Sequence, residues 1–254
     1  MKLLLIAIVV CCVTIVQPVT RQVGGKDVSV RQYPFMAAIA YARQPIGNGA
    51  IITPKWILTS ASAVYLFPDS EYNIALGATD FYGYAEWFEV WNIFRHPEFA
   101  GWDNNIAMVL IRGHVQYSDT IQPIDIGMSL PETIEVTMLS YGKNEDDTTH
   151  LRGATYTLIS DNIACVRLLK EYMAKEIIWQ QHGFCLIPPH GTQQGQWFND
   201  AGAPMVAHGK LYAVFAFSEH EGGLNEGSVA TRVASYLGFI QATMFRNITG
   251  LINN

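Results

Sequence analysis

The sequence predicts an all-β protein, either a barrel or a sandwich, from three observations. Apolar residues alternate over short segments, as at Ile134, Val136 and Met138. Continuous apolar runs at 106–111 and 211–217 are typical of strands buried on both faces. Gly, Pro, Asn and Asp recur between these segments as turn residues. Together the three patterns predict many short strands connected by turns.

The other predicted strands follow in chain order. The apolar segments 51–52 and 56–58 flank Thr53-Pro54-Lys55, which is typical of a turn between two strands. Alternate positions indicate two more strands, at Phe88, Val90, Asn92 and Phe94 and at Tyr156, Leu158 and Ser160.

Two segments have helical spacing instead. In 162–174, Val166, Leu169 and Met173 recur at three- to four-residue intervals. In 235–247, the residues on one face are Leu237, Ile240 and Met244. We therefore predict one helix in each segment, the second near the C-terminus.

The N-terminal segment 1–17 is interpreted as a secretory signal peptide. Lys2 precedes the apolar run 3–16, which has the length of a signal core and is shorter than the roughly 18 residues of a membrane span. The alternative is a buried N-terminal helix. We therefore expect a secreted, extracellular protein.

Four cysteines are present, and two of them, Cys11 and Cys12, lie in the predicted signal. Cys165 and Cys185 remain, so we expect one disulfide in an oxidising compartment. A loop of this size would stabilise the fold by about 3 kcal/mol.

Composition excludes several classes of protein. A chain that is 50% hydrophobic and 15% charged is not disordered. The formal net charge of −6 gives no basic surface for nucleic acid. No histidine pair has metal-site spacing, so we expect no metal ion. We also expect no cofactor. No later apolar segment has the length of a membrane span, so we expect no membrane partner.

Four segments carry a further signal by their order along the chain. They are Gln22-Val23-Gly24-Gly25 after Arg21, the segments 56–63 and 103–108, and Asn199-Asp200-Ala201-Gly202-Ala203-Pro204. Taken together, they resemble the chymotrypsin/trypsin family of serine proteases. The resemblance implies two six-stranded antiparallel β-barrels, at about 22–128 and 129–233, followed by a C-terminal helix at about 234–247. It also implies a short pro-segment, 18–21, and one inactive trypsin-like domain over 22–247.

The resemblance further implies activation by cleavage after Arg21. In active family members the new N-terminus pairs with the carboxylate found here at Asp200, so we expect Gln22 to be its partner. The alternative is that cleavage does not occur and Asp200 pairs elsewhere.

At the family's catalytic positions this sequence has different residue types. Ser62 matches the histidine, Asn105 the aspartate and Ala201 the nucleophilic serine, while Asn199 matches the oxyanion glycine. Since all three groups of the triad are replaced, the resemblance leads us to expect no enzyme.

The resemblance also places a substrate pocket. Gly195 matches its floor, Ala216-Phe217-Ser218 its wall, and Ser228 a pocket glycine. Gly47 and Ala63 match a disulfide that most family members have.

A protein of this kind would act by binding. The resemblance to inactivated protease paralogues of parasitic mites, which are arthropods, implies a regulator or decoy in a proteolytic cascade, with complement or other cascade components as partners. The alternatives are a storage, structural or allergen-like protein, and a residual serine-type hydrolase whose site lies elsewhere.

Two further features predict functions at the protein surface. Asn247-Ile248-Thr249 is an N-glycosylation sequence expected at the end of the last helix. Four aromatic residues are candidates for an exposed interface, without being assigned as sites: Tyr82, Tyr84, Trp87 and Trp102. The alternative is that they are core or rim residues of a barrel.

Overall fold

Six antiparallel strands of the N-terminal half close into a barrel in the computed structural model, which describes residues 25–142, 148–189, 198–219 and 227–252. A short strand β1 (Lys26–Asp27) comes first. The barrel order is β2-β3-β4-β7-β6-β5. Its strands are β2 (Met36–Tyr41), β3 (Gln44–Thr53), β4 (Trp56–Thr59), β5 (Tyr72–Leu76), β6 (Glu86–Arg95) and β7 (Ala107–Ile111).

The C-terminal half forms a second barrel. After β8 (Asp125–Ile126) come β9 (Thr133–Ser140), β10 (Arg152–Ile159), β11 (Gly183–Ile187), β12 (Pro204–Ala207), β13 (Lys210–Ser218) and β14 (Ser228–Arg232). The ring runs β9-β10-β11-β14-β13-β12 and returns to β9; β1 extends it beside β10, and β8 pairs in parallel with β13. The predicted fold, two six-stranded barrels with a C-terminal helix, is confirmed.

Each barrel is filled by its inward-facing side chains, and a third cluster joins the two. Ile57 and Val109 belong to the first core, Tyr156 and Phe184 to the second. The joining cluster combines residues of both halves with Ile240 of the last helix. Every residue of β7 is buried, as its continuous apolar run predicted. The two barrels therefore pack against each other through apolar contacts.

The helix predicted over 162–174 is wrong in extent, because the structure has two helices there. They are α1 (Asn162–Leu168) and α2 (Tyr172–Trp179). The chain turns between them, where the carboxylate of Glu219 accepts the main-chain N–H groups of Lys170 at 2.9 Å and Glu171 at 2.8 Å. A distant side chain thus stabilises a break that the spacing of apolar residues did not indicate.

The last helix is α3 (Leu237–Ile252), preceded by a 3₁₀ turn at Val233–Tyr236. It extends beyond the predicted end, so Asn247 lies within the helix and not at its end. Glycosylation of Asn247 stays a prediction. Among the helices in the described part of the chain, none is both long and apolar enough to cross a membrane.

The predicted disulfide is confirmed. Cys165 in α1 and Cys185 in β11 are joined, with their Cα atoms 5.8 Å apart. Both cysteines are fully buried and pack against Leu169, Ile177 and Val229. The bond therefore ties α1 to β11 of the second barrel.

Candidate active site

Ser62 and Asn105 lie in contact on the first barrel. Ser62 belongs to a 3₁₀ turn, Ala61–Val64, which follows β4 and is capped by the Ser60 hydroxyl group. Asn105 Oδ1 accepts the main-chain N–H of Ser62 at 2.8 Å, and Asn105 Nδ2 donates to Ser62 Oγ at 3.0 Å. The hydroxyl groups of Ser60 and Ser62 are 3.1 Å apart. The structure thus brings together two of the sequence-predicted site residues.

Asn105 is fixed from both barrels. Its side chain is 1% exposed and its main-chain oxygen accepts a hydrogen bond from Thr231 Oγ1, on β14, at 2.8 Å. Its Nδ2 atom also lies 3.5 Å from the carbonyl oxygen of Ala216. Asn105 therefore joins the Ser62 turn to the wall of the second barrel.

Ala201 lies in the turn that follows a 3₁₀ segment, Phe198–Asp200, and is half-buried. Its carbonyl oxygen accepts the main-chain N–H of Asn48 at 2.8 Å. The next residue, Gly202, has φ +75° and is packed so closely that a Cβ atom would overlap Asn48 O and Thr59 Oγ1. The turn therefore needs glycine at position 202 and rests directly on the first barrel.

Asn199 and Asp200 are held by polar contacts inside this turn. Asn199 Nδ2 donates to the carbonyl oxygen of Pro45 at 3.0 Å. Asp200 is 0% exposed, and Ser140 Oγ donates to its Oδ1 atom at 2.5 Å. Gln22 and Arg21 lie outside the described residues, so the expected pairing of Gln22 with Asp200 stays a prediction.

The predicted pocket wall is the last part of β13. Ala216, Phe217 and Ser218 follow a register shift in the pairing with β14. The hydroxyl groups of Ser218 and Ser228 lie 2.9 Å apart across the two strands. Gly195, the predicted floor, lies outside the described residues.

One aromatic contact borders this wall. Trp102 packs edge-on against Phe217, with ring centroids 4.5 Å apart, and Trp102 is 44% exposed. Tyr82 and Tyr84 are exposed, whereas Trp87 is half-buried against the joining cluster, as the alternative of a core or rim residue predicts. Arg43 lies over the Trp87 ring and covers it.

Two histidines lie near the base of the segment that carries Asn105. His182 Nδ1 is 2.9 Å from Asp103 Oδ1. The His96 ring packs on Tyr236 and Phe239, with centroids 5.3 Å and 5.0 Å away. Burial lowers the pKa of His96 below its usual value. Neither histidine contacts Ser62 or Ala201 through a hydrogen bond among the contacts that the structure describes.

The three positions bring different chemical groups to the cleft. Ser62 offers a hydroxyl group, Asn105 an amide and Ala201 a methyl group. The amide and hydroxyl groups are neutral near pH 7, and each donates or accepts hydrogen bonds. The sequence did not single out Asn48, Ser140 and Glu219, because their contacts join residues far apart in the chain and no local spacing reveals them.

Comparison with known proteins identifies the family. The family model "Trypsin" matches residues 22–240. The collagenase of Hypoderma lineatum is 29% identical over 87% of this chain and 86% of its own length. The trypsin of Saccharopolyspora erythraea is 26% identical over 84% of this chain and 94% of its own length. The match spans 41% and 51% of the length of two other relatives, from Bombyx mori and Lonomia achelous.

A solved structure has the same fold. Neuropsin, a serine protease expressed in the limbic system of mouse brain, superposes with a TM-score of 0.73. The superposition covers 87% of this chain and 98% of neuropsin at 18% identity, which establishes the shared fold.

These comparisons correct the expectation that the chain is not an enzyme. That expectation rested on the residue types at Ser62, Asn105 and Ala201. The family model matches across all three positions, and the relatives carry the names trypsin and collagenase, which indicates a protease. The match covers most of the sequence from residue 22 onward, and the chain therefore belongs to the trypsin family.

Proposed function

We propose that this trypsin-family chain is a secreted protein that binds an extended segment of another protein in the cleft between its barrels. Through this binding it acts in a proteolytic cascade. This binding is supported by the end of β13, by the aromatic pair of Trp102 and Phe217 beside it, and by the neutral groups at Ser62 and Asn105.

The end of β13 is the observation that carries the proposal. The pairing of β12 with β13 ends at Pro204↔Val214, whereas β13 continues to Ser218. Phe217 therefore has β14 on one side and, within the described part of the chain, no strand on the other. A strand edge without a neighbouring strand offers main-chain N–H and C=O groups to an extended peptide, which adds as another strand.

The aromatic pair supplies an apolar contact at this edge. Trp102 is close to half exposed while its ring edge is fixed by Phe217. A large aromatic surface that is held in place loses little conformational entropy on binding, and Trp is enriched among the residues that dominate binding energy. The pair is therefore the expected anchor for a side chain of the bound segment.

The first barrel adds polar groups on the other side. The Ser62 hydroxyl group is half-buried and adjacent to Ser60 Oγ, so it can exchange hydrogen bonds with a bound chain. Ala201 presents a methyl group. A polar rim beside apolar contacts is the usual composition of a binding site for a protein segment.

The partner follows from the predicted secretion and the family resemblance. A secreted member of a protease family meets the proteins of extracellular proteolytic cascades, of which complement is the one that the resemblance to mite paralogues implies. Complement or other cascade components are therefore the partners to test. A storage or structural protein would bind none of them.

Peptide hydrolysis is the second candidate function, and the names of the relatives favour it. Because Ala201 has no nucleophilic atom, a hydrolytic reaction near these positions would use the hydroxyl group of the half-buried Ser62, since Ser60 is 0% exposed. This candidate predicts turnover that is lost in Ser62→Ala.

The test is a binding measurement on purified, secreted chain. Purified complement and clotting components are passed over the immobilised chain, and the equilibrium response is recorded. We expect saturable binding to one component, weakened at least about tenfold by Phe217→Ala or Trp102→Ala. Tyr84→Ala is the matched control, because Tyr84 is 92% exposed and lies outside the cleft.

The same sample is incubated with a broad peptide library. Saturable binding that depends on Phe217 and Trp102, without turnover, supports the proposal. Turnover that Ser62→Ala abolishes would replace it by the second candidate. Absence of saturable binding to every component would overturn it.

A further inference from the structure

Three buried polar side chains connect the barrels beneath the cleft. They are Asn48 on β3, Ser140 at the end of β9 and Asp200 beside Ala201, and each is 0% exposed. Asn48 Nδ2 donates to Ser140 Oγ at 3.1 Å, and Ser140 Oγ donates to Asp200 Oδ1 at 2.5 Å. Each of the two barrels and the turn contributes one member.

The hydroxyl group of Ser140 makes every hydrogen bond of which it is capable. Its single hydroxyl proton goes to Asp200, while its oxygen accepts the Asn48 amide and the main-chain N–H of Gly142 at 2.8 Å. A hydroxyl group has one proton and two lone pairs, so no capacity is left. The proton is therefore directed at the carboxylate, and a hydrogen bond to a charged group is among the stronger ones.

The side-chain amide of Asn48 is also fully hydrogen-bonded. Asn48 holds the turn on both sides of Asp200. Its Nδ2 atom also donates to the carbonyl oxygen of Asn199 at 2.9 Å, and its main-chain N–H donates to the carbonyl oxygen of Ala201 at 2.8 Å. Its Oδ1 atom accepts the N–H of Tyr141 at 2.9 Å. One residue of the first barrel thus fixes the residues before and after the carboxylate.

The space around the carboxylate is closed as well. A Cβ atom on Gly142 would overlap Asp200 Oδ1, so only glycine allows the chain after Ser140 to pass this close. Packing and hydrogen bonds therefore select the same position for Asp200.

We infer that Asn48 and Ser140 are positioning residues, which hold Asp200 and the 199–202 turn in the cleft-forming conformation in the uncleaved chain as well as after cleavage at Arg21. All of these contacts come from residues within the barrels and the turn. Folding of the two barrels therefore supplies these contacts before any cleavage. The consequence for partner binding rests on the proposed function, but the positioning does not.

Amide hydrogen exchange tests the inference directly. The N–H of Gly202 donates to Phe215 O and that of Ala203 to Asp200 O, so both report on the turn. We compare the chain cut after Arg21 with an uncut Arg21→Gln chain. We expect exchange rates at both amides that agree within about twofold. Exchange at least about tenfold slower in the cut chain would overturn the inference.

Variants identify the residues responsible. In the uncut background, Ser140→Ala and Asn48→Ala are expected to accelerate exchange at Gly202 and Ala203 at least about tenfold, and Ser140→Thr is expected to restore the slow rate by keeping the hydroxyl group. Ser160→Ala is the matched control, since its hydroxyl group bonds Pro131 O in the same barrel.

Exchange at Val109 and Phe184, in the two cores, separates local from global opening. If Ser140→Ala changes neither turn amide, the inference fails. If the cores accelerate equally in a variant, that variant is globally unstable, and the comparison of the cut chain with the uncut Arg21→Gln chain decides. Exchange needs no partner, so this result is independent of whether cascade proteins bind.

Discussion

Asn105 holds Ser62 with both ends of its side-chain amide: Oδ1 accepts from Ser62 N at 2.8 Å, and Nδ2 donates to Ser62 Oγ at 3.0 Å. The amide can do this because it combines an acceptor and a donor. A carboxylate would accept from both Ser62 groups but could not donate to the carbonyl oxygen of Ala216, 3.5 Å from Nδ2. The amide therefore fits this buried position without a charge.

The first prediction follows from this pair. Asn105→Asp removes the donor and places a charge near the carbonyl oxygen of Ala216, so we expect the free energy of unfolding to fall by about 3 kcal/mol. Asn105→Ala leaves the Ser62 N–H without its acceptor and should cost about 1–3 kcal/mol. Urea unfolding at neutral pH measures both values.

Asn73→Asp is the control, because Asn73 bonds only a neighbouring main-chain oxygen at an exposed position among its described contacts. An Asn105→Asp variant as stable as wild type would contradict the prediction. It would show that the cleft holds a donor or cation able to pair with a carboxylate.

The second prediction concerns His96 and pH. Burial lowers the pKa of His96, and the nearby charges are Glu98, Asp103 and His182. The folded state then binds fewer protons than the unfolded state below about pH 6.5. The stability from neutral His96 is therefore present above that pH and is lost as the pH falls through the unfolded pKa.

Thermal unfolding between about pH 7.5 and about pH 5 measures this loss. The decrease in unfolding free energy should be smaller in His96→Gln than in wild type. His114→Gln serves for comparison, since His114 is exposed. Equal slopes in wild type and His96→Gln would mean that His96 does not contribute to the pH dependence.

The third prediction concerns the break between α1 and α2. Glu219 accepts the N–H groups of Lys170 and Glu171, so Glu219→Ala should destabilise the fold by about 1–2 kcal/mol, as loss of a helix cap does. Exchange at these two amides should accelerate. Glu176→Ala, on the exposed side of α2, should change neither quantity.

The sequence predicted the strands well, because neighbouring residues of a strand face opposite sides of the sheet. Which side is buried therefore shows in a short stretch of sequence. Alternation at Ile134, Val136 and Met138 and the run through β7 each depend on which face of a strand is buried. The order of the four family-like segments predicted how the strands close into two barrels.

The site was less predictable because its contacts are long-range. Ser140 bonds Asn48, 92 positions away, and Glu219 accepts the N–H of Glu171, 48 positions away, at the start of α2. Asn48 and Ser140 each stand alone as a polar residue beside glycines and apolar residues, which is the one local signal that could have indicated a buried polar contact.

The last prediction uses Gly47 and Ala63. A Cβ atom built on Gly47 would lie 2.9 Å from the Cβ atom of Ala63. Cysteines in a disulfide have Cβ atoms roughly 3.5–4.5 Å apart, so a shift of about 1 Å would allow a bond. Gly47→Cys with Ala63→Cys should therefore form a disulfide that raises the free energy of unfolding by about 3 kcal/mol, since the loop it closes has about 15 residues.

Urea unfolding with and without reductant measures the gain, and each single variant is the control. A reduced double variant that is less stable than wild type is expected, because the thiols crowd the Ala201 carbonyl oxygen, 3.2 Å from the added Cβ atom. If the oxidised form is also less stable than wild type, the turn at Ala201 does not tolerate the bond, and the glycine is required for close contact between the barrels.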